Sequence, residues 1–178
     1  MSQFLIKFSK IVFLGLLPLF LISSIGSDRG ASAEFINVDY LWMVSGNSKQ
    51  QLNGKMSFKS TTENVNDGKY FNTLKLKFDG VSDQILNVVE FTISKEDKTH
   101  GISIGNYKVN PIDGFINHFD GVFGVVNINL LGERPFFSTG GNIYISRIGK
   151  SGVSGNLNML LSNGDGRTVE ISGNFKTN

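Results

Sequence analysis

The chain contains no cysteine. Disulfides, thiol nucleophiles and a lipidated cysteine are therefore excluded, although a compartment outside the cytoplasm would permit disulfides. Stability has to come from buried apolar surface. Histidine is scarce as well, with only His100 and His118, so zinc sites and imidazole bases are hard to assemble. None of the eighteen asparagines opens an Asn-x-Ser/Thr sequon, which suits a bacterial exported protein better than a eukaryotic one. There is no Gly-x-Gly-x-x-Gly, and Gly149-Lys150-Ser151 lacks the earlier glycine of a phosphate loop because Tyr144 stands in its place.

The one long apolar stretch lies at the N-terminus. Lys7 and Lys10 lead into "IVFLGLLPLFLISSIG", and Ala31-Ser32-Ala33 has the small-x-small pattern that a signal peptidase accepts. A basic start, a short apolar run broken by Pro18 and a cleavage box predict a Sec signal helix over residues 1–33, cut between Ala33 and Glu34. The run is short for a membrane span of roughly 20 residues. The mature domain is then 34–178, and losing Lys7, Lys10, Arg29 and Asp28 brings its formal charge from +2 to zero. A neutral domain lacks the basic stripe of nucleic-acid binders, and no motif implies a cofactor.

Helical spacing of apolar residues is also missing from the mature domain. Period two recurs instead. Tyr40, Trp42 and Val44 share one parity, as do Leu52, Met56 and Phe58, then Leu74, Leu76 and Phe78, and then Val89, Phe91 and Ile93. Val122, Val126 and Ile128 follow, then Ile143 and Ile145, then Val153 to Leu161, and finally Val169, Ile171 and Phe175. About eight antiparallel strands with one wet face are expected. An antiparallel β-sandwich is the favoured all-β arrangement, with a closed β-barrel as the alternative. Thr61–Gly68 and Ser94–Gly101 read as polar loops. Asp67, Asp79, Asp113, Asp120 and Asp165 each precede a glycine, and turn chemistry accounts for them before catalysis does.

Parity also makes a specific prediction for "LLSNGDGRTVEISGNF". Leu157, Met159 and Leu161 can share a core with Val169, Ile171 and Phe175 only if Leu161 pairs with Val169 and Leu157 with Gly173. Gly155 then faces Phe175, and Gly164-Asp165-Gly166 forms a three-residue turn with a glycine in the left-handed region. The competing reading is a calcium loop. It fails on ligand supply, since Asp165 is the only acid in the turn and calcium takes six to eight oxygens.

Other motifs have plain readings. Gly101-Ile102-Ser103-Ile104-Gly105 matches a nucleophile elbow, but no helix pattern follows, and a short strand is expected. His118, Asp120 and Asp113 are the only metal candidates, and one local histidine falls short of a zinc set. A carbohydrate-active site would need two acids across a groove holding Glu90, Glu170 or the Asp113–Asp120 loop. Tyr40 and Trp42 are expected in the core. Phe136-Phe137 follows Arg134-Pro135 in a loop-like context; adjacent residues cannot share a strand face, so the pair is the candidate surface contact.

The run "GGNIYISRIGKSGVSGNLNMLLSNGDGRTVEISGNF" resembles the end of a group of small exported bacterial β-proteins of unknown function. Gly141, Ile143, Ile145, Gly155, Gly173 and Phe175 carry the likeness, over roughly the last 40 residues. Many members are lipid-anchored, and this chain departs from them in lacking cysteine. The resemblance implies a fold type and an envelope location, and no activity. The leading expectation is a secreted or periplasmic, non-catalytic binding or structural module. Its partner would be an envelope or extracellular protein or a glycan, and membrane contact would come only through the signal peptide. One alternative is an eight-stranded outer-membrane barrel, which the strand lengths allow but the single tryptophan and the Phe-Lys-Thr-Asn ending oppose. Another is a carbohydrate-active enzyme or carbohydrate-binding module.

Overall fold

A computed structural model describes residues 39–46, 49–65, 69–80, 88–97, 101–110 and 119–177. The signal segment, the junction at Ala33–Glu34, Asp113, His100 and His118 lie outside the described residues. Within them run β1 (Tyr40–Ser45), β2 (Lys49–Val65), β3 (Lys69–Gly80), β4 (Val88–Glu96), β5 (Gly105–Lys108), β6 (Gly121–Asn127), β7 (Phe136–Gly149), β8 (Gly152–Ser162) and β9 (Thr168–Lys176). A single 3-10 turn at Asn129–Leu131 precedes β7. Neighbours follow the order β7-β6-β4-β3-β2-β1-β9-β8, and β8 returns to pair with β7. The result is a closed, antiparallel eight-stranded barrel. β5 is an extra strand that takes the edge of β7 beyond the point where β6 leaves it.

The all-β expectation therefore stands, and of its two forms the barrel is found, not the favoured sandwich. Alternation cannot separate them, because both bury one face of each strand. Closure depends on β7, whose 14 residues serve β6 and β5 on one edge and β8 on the other.

The inward faces form one apolar core. Trp42, Leu74, Leu76, Phe78, Phe91, Ile93, Phe136, Ile143, Met159 and Ile171 are all fully buried. Rings fill the centre: Trp42 lies 4.2 Å from Phe78 and 4.6 Å from Tyr40, and Phe175 is 5.9 Å from Phe78, centroid to centroid. A barrel of this strand number has little interior width, and glycines make the room. Tyr40 pairs with Gly54, Trp42 with Gly173, Phe91 with Gly124 and Phe175 with Gly155. Each ring leans over the glycine of the next strand. A Cβ on Gly155 would lie 2.8 Å from Phe175 Cζ, and one on Gly173 would lie 2.7 Å from Trp42 Cδ1.

The final hairpin follows the parity rule. Leu161 pairs with Val169, Met159 with Ile171, Leu157 with Gly173 and Gly155 with Phe175. Asn163 N–H donates to Arg167 O at 3.1 Å, and Gly166 sits at φ +77°. Gly164-Asp165-Gly166 is thus the turn. The Asn163 carboxamide oxygen braces it by accepting the N–H groups of Asp165 and Arg167 at 3.1 and 3.0 Å.

Four local expectations are corrected. Ser94–Glu96 continues β4 and is not loop, because Ser94 is laddered between Thr73 of β3 and Gly121 of β6. Thr61–Val65 is strand and not loop, because its polar side chains satisfy one another: the Thr61 and Thr73 hydroxyls bond, Thr62 donates to Asn72, and Asn72 donates to Asp97 O. Phe136-Phe137 opens β7 and is not in a loop. Gly101–Ile104 is irregular and the strand begins at Gly105. Tyr107 explains that shift, since its hydroxyl accepts from Ser103 N–H at 3.0 Å and donates to Ser103 O at 2.8 Å, holding a loop there.

Candidate functional site

Among the described residues rings occupy the interior, and the outer wall has two distinct regions. The first covers β2, β3 and β4 and is charged. Lys75 bonds Glu90 at 2.9 Å, Lys77 lies 3.3 Å from Asp79, and Lys55 lies 3.5 Å from Asp39. Lys69–Glu96 and Lys95–Asp97 extend the belt at 3.8 and 3.7 Å. Lys59 and Lys75 face each other directly across β2 and β3, a like-charge pairing that Glu90 offsets.

This wall carries a groove of about 530 Å³, lined by Lys59, Thr61, Glu63, Thr73, Lys75, Glu90, Thr92, Phe119 and Phe123. Phe119 is buried, and Phe123 stacks on the exposed Phe137 with centroids 6.2 Å apart. Of the two surface-contact candidates, Phe137 faces out at 43% exposure, while Phe136 is in the core and is not available for contact. Alternation along β7 separates them. Arg167 lies over the Phe136 ring, 5.8 Å from its centroid.

The second region covers β1, β9, β8 and the end of β7. Register aligns Asn53, Leu41, Asn174, Asn156, Tyr144 and Asn106 in one row across six strands. The next row carries Gln51, Met43, Ser172, Asn158 and Asn142, and reaches its first charge at Lys108 on β5. Asn142 Nδ2 donates to Asn106 Oδ1 at 2.6 Å. We call this the amide wall.

The carboxylates that a carbohydrate-active site would have to bring together do not meet. Glu90 is on β4 and Glu170 on β9, four strand steps apart through β3, β2 and β1, roughly 19 Å around the wall. Glu63 and Glu90 share the groove, but Glu63 is level with Phe71 and Glu96. That is six residues from Glu90 along the strand, roughly 20 Å, against the 5–9.5 Å of a glycosidase pair. Asp120 is exposed beside a hollow of about 370 Å³ that also holds Lys95, Tyr107 and Lys108. Its backbone oxygen accepts from Asn110 Nδ2 at 3.0 Å. Among the described residues no cluster of three metal-ligating side chains occurs. Asp165, the one acid of the hairpin turn, bonds Arg134 at 2.6 Å.

Among the described residues Tyr40 is the one clearly perturbed titratable group. Burial, helped by the Asp79 charge, pushes its hydroxyl from the usual 10.0 up to about 12. It donates to Asp79 O at 3.3 Å and serves the core.

Sequence reading missed the groove and the amide wall. Both are sums over outward positions on strands far apart in sequence. A signal for the second existed in the alternating Asn156, Asn158 and Asn174.

By fold and surface the molecule is a small up-and-down β-barrel with a ring-filled core and two contrasting outer faces. No family model matches the chain, and neither a curated protein nor a solved structure shows similarity to it.

Proposed function

We propose that this is an exported, non-catalytic barrel that works by binding through its outer wall, in the envelope or the secreted fraction. The observation that carries the reading is the filled interior. Trp42, Phe78, Phe91 and Phe175 occupy the space in which a ligand-holding barrel would keep its guest. The separated carboxylates support binding over hydrolysis. The N-terminal signal pattern supports export.

The outer-membrane alternative is disfavoured by polarity. A lipid-facing wall needs an outward apolar band, and each lysine at its midplane costs about 2–4 kcal/mol. Here Lys55, Lys59, Lys75 and Lys77 face outward on adjacent strands.

Fractionation of a bacterial host making the full chain tests the proposal. The expected product starts at Glu34 and leaves by osmotic shock without detergent. Extraction only with detergent defeats the soluble reading, and retention in the cytoplasm with the leader intact defeats export. If the recovered chain retains no envelope protein or glycan in capture experiments, the binding reading fails.

A further inference from the structure

We infer that the amide wall binds an uncharged, hydroxyl-rich polymer, that is, a neutral polysaccharide. This inference rests on the reading of the barrel as an outer-wall binder and assigns that binding to one face.

The argument begins with segregation. Protein surfaces normally intersperse both signs of charge, and the β2–β3–β4 wall does so with lysine–carboxylate pairs. The amide wall carries none through two complete rows until Lys108. The rows span six strands, roughly 24 Å at 4.8 Å per strand step, long enough to follow an extended chain. Charge stands only at the margins, with Lys108 at the end of one row and Lys49, Glu170 and Lys176 in the bordering rows, so the two central rows offer little to a phosphate backbone or to an acidic glycan.

What it offers is amides. Each carboxamide both donates and accepts, and so does a sugar hydroxyl. Asn156 and Asn174 sit opposite each other, as do Asn142 and Asn158, so donors and acceptors come in adjacent sets. The Asn142–Asn106 bond fixes two of them in advance. Between the amides stand Leu41, Met43 and Tyr144, all exposed. They give a ring's C–H face apolar cover, and the tyrosine adds a hydroxyl at its tip. The platform is sheet backbone, so little ordering cost is added on binding.

The test uses the processed chain purified from the host's envelope fraction. It is mixed with insoluble cellulose, chitin, β-1,3-glucan and starch at low salt and at about 1 M salt. Retention on at least one polymer is expected, changing less than about twofold with salt because no charge pair is screened. Tyr144→Ala, and separately the pair Asn156→Asp with Asn158→Asp, should each weaken retention roughly tenfold while leaving the melting temperature near that of the parent. Lys75→Ala, in the charged groove, should leave retention unchanged.

No retention of any polymer by the parent chain overturns the inference. Loss of retention at high salt, or equal loss in Lys75→Ala, also overturns it and assigns binding to the charged groove, in which case the outer-wall reading survives. A concentration-dependent dimer abolished by Tyr144→Ala overturns it in favour of a second copy on this face. A chain that leaves the envelope only in detergent fails the broader reading first, independently of any polymer result.

Discussion

The charged wall and the amide wall enclose the same core with opposite surfaces. Behind Lys75 and Lys77 stand Leu74, Leu76 and Phe78; behind Asn156 and Asn158 stand Leu157 and Met159. Both inner faces obey one rule, large side chains set against small ones across strand pairs. Gly124 receives Phe91 on one side of the barrel, and Gly155 receives Phe175 on the other. The outer faces obey different rules, ion pairs on one and uncharged amides on the other. Inward positions are thus set by volume, a rule that leaves the outward positions free to differ. The fold alone therefore gives no reason for the amides.

The largest effects are expected where the inner rule is violated behind each wall. Gly173→Val places a side chain against Trp42 and the Leu41 carbonyl at φ +152°. Overpacking and backbone strain together should cost about 3 kcal/mol or more, lowering Tm by roughly 10 °C in calorimetry. Gly124→Val, against the Phe91 ring, should cost a similar amount. The outward neighbour Asn174→Val should stay within about 0.5 kcal/mol. Equal effects at Gly173 and Asn174 would show that the two faces of one strand are not under separate control.

The inner rule was partly legible in the sequence. Parity in the last hairpin located Gly155 beside Phe175 and Leu157 beside Gly173, because an index sum involves only two strands and one turn. Tyr40–Gly54 follows the same rule, although no turn motif in the sequence announced that pairing. Barrel closure was not legible, since the β1–β9 pairing joins residues more than a hundred positions apart and alternation is blind to it. The polar end of the β2–β3 hairpin was misread because Thr61, Thr62 and Asn72 hold the ladder by side-chain hydrogen bonds, which leave no apolar period. Asp165 invited a ligand reading only because Arg134, its partner, is thirty-one residues away.

A smaller effect is expected at the tip of the amide wall. Asn163 is buried, and its carboxamide oxygen holds two backbone N–H groups of the turn. Asn163→Ala should cost about 1–2 kcal/mol, measured by urea unfolding, because those donors lose their acceptor in a partly buried place. Asp165→Ala removes only the exposed pair with Arg134 and should cost at most about 0.5 kcal/mol. The reverse order would mean that the ion pair, and not the asparagine, sets the turn.

Tyr40 ties β1 to β3 at the junction of the two walls, and it carries a pH dependence. Its folded-state pKa is about 12 against 10.0 unfolded, so the unfolded chain loses the phenolic proton first. The stabilisation is complete below pH 10 and is lost as pH rises from 10 toward 12. Tyr40→Phe should flatten that alkaline decline in a plot of unfolding free energy against pH. An unchanged slope would place the cause in other groups.

The smallest expected effect separates the outer walls directly. Glu90→Gln removes the partner of Lys75 and leaves Lys75 facing Lys59 across the β2–β3 pair. Both side chains of the bond are partly exposed, so the cost at low salt should be about 0.5 kcal/mol. Salt screens both the lost attraction and the exposed repulsion, so parent and variant should converge in urea midpoints at about 1 M salt. Asn158→Gln, at the corresponding outward position of the amide wall, should show no such convergence because no charge is involved. A salt-dependent difference there would mean that charge reaches the amide wall after all, and the contrast between the two faces would fail.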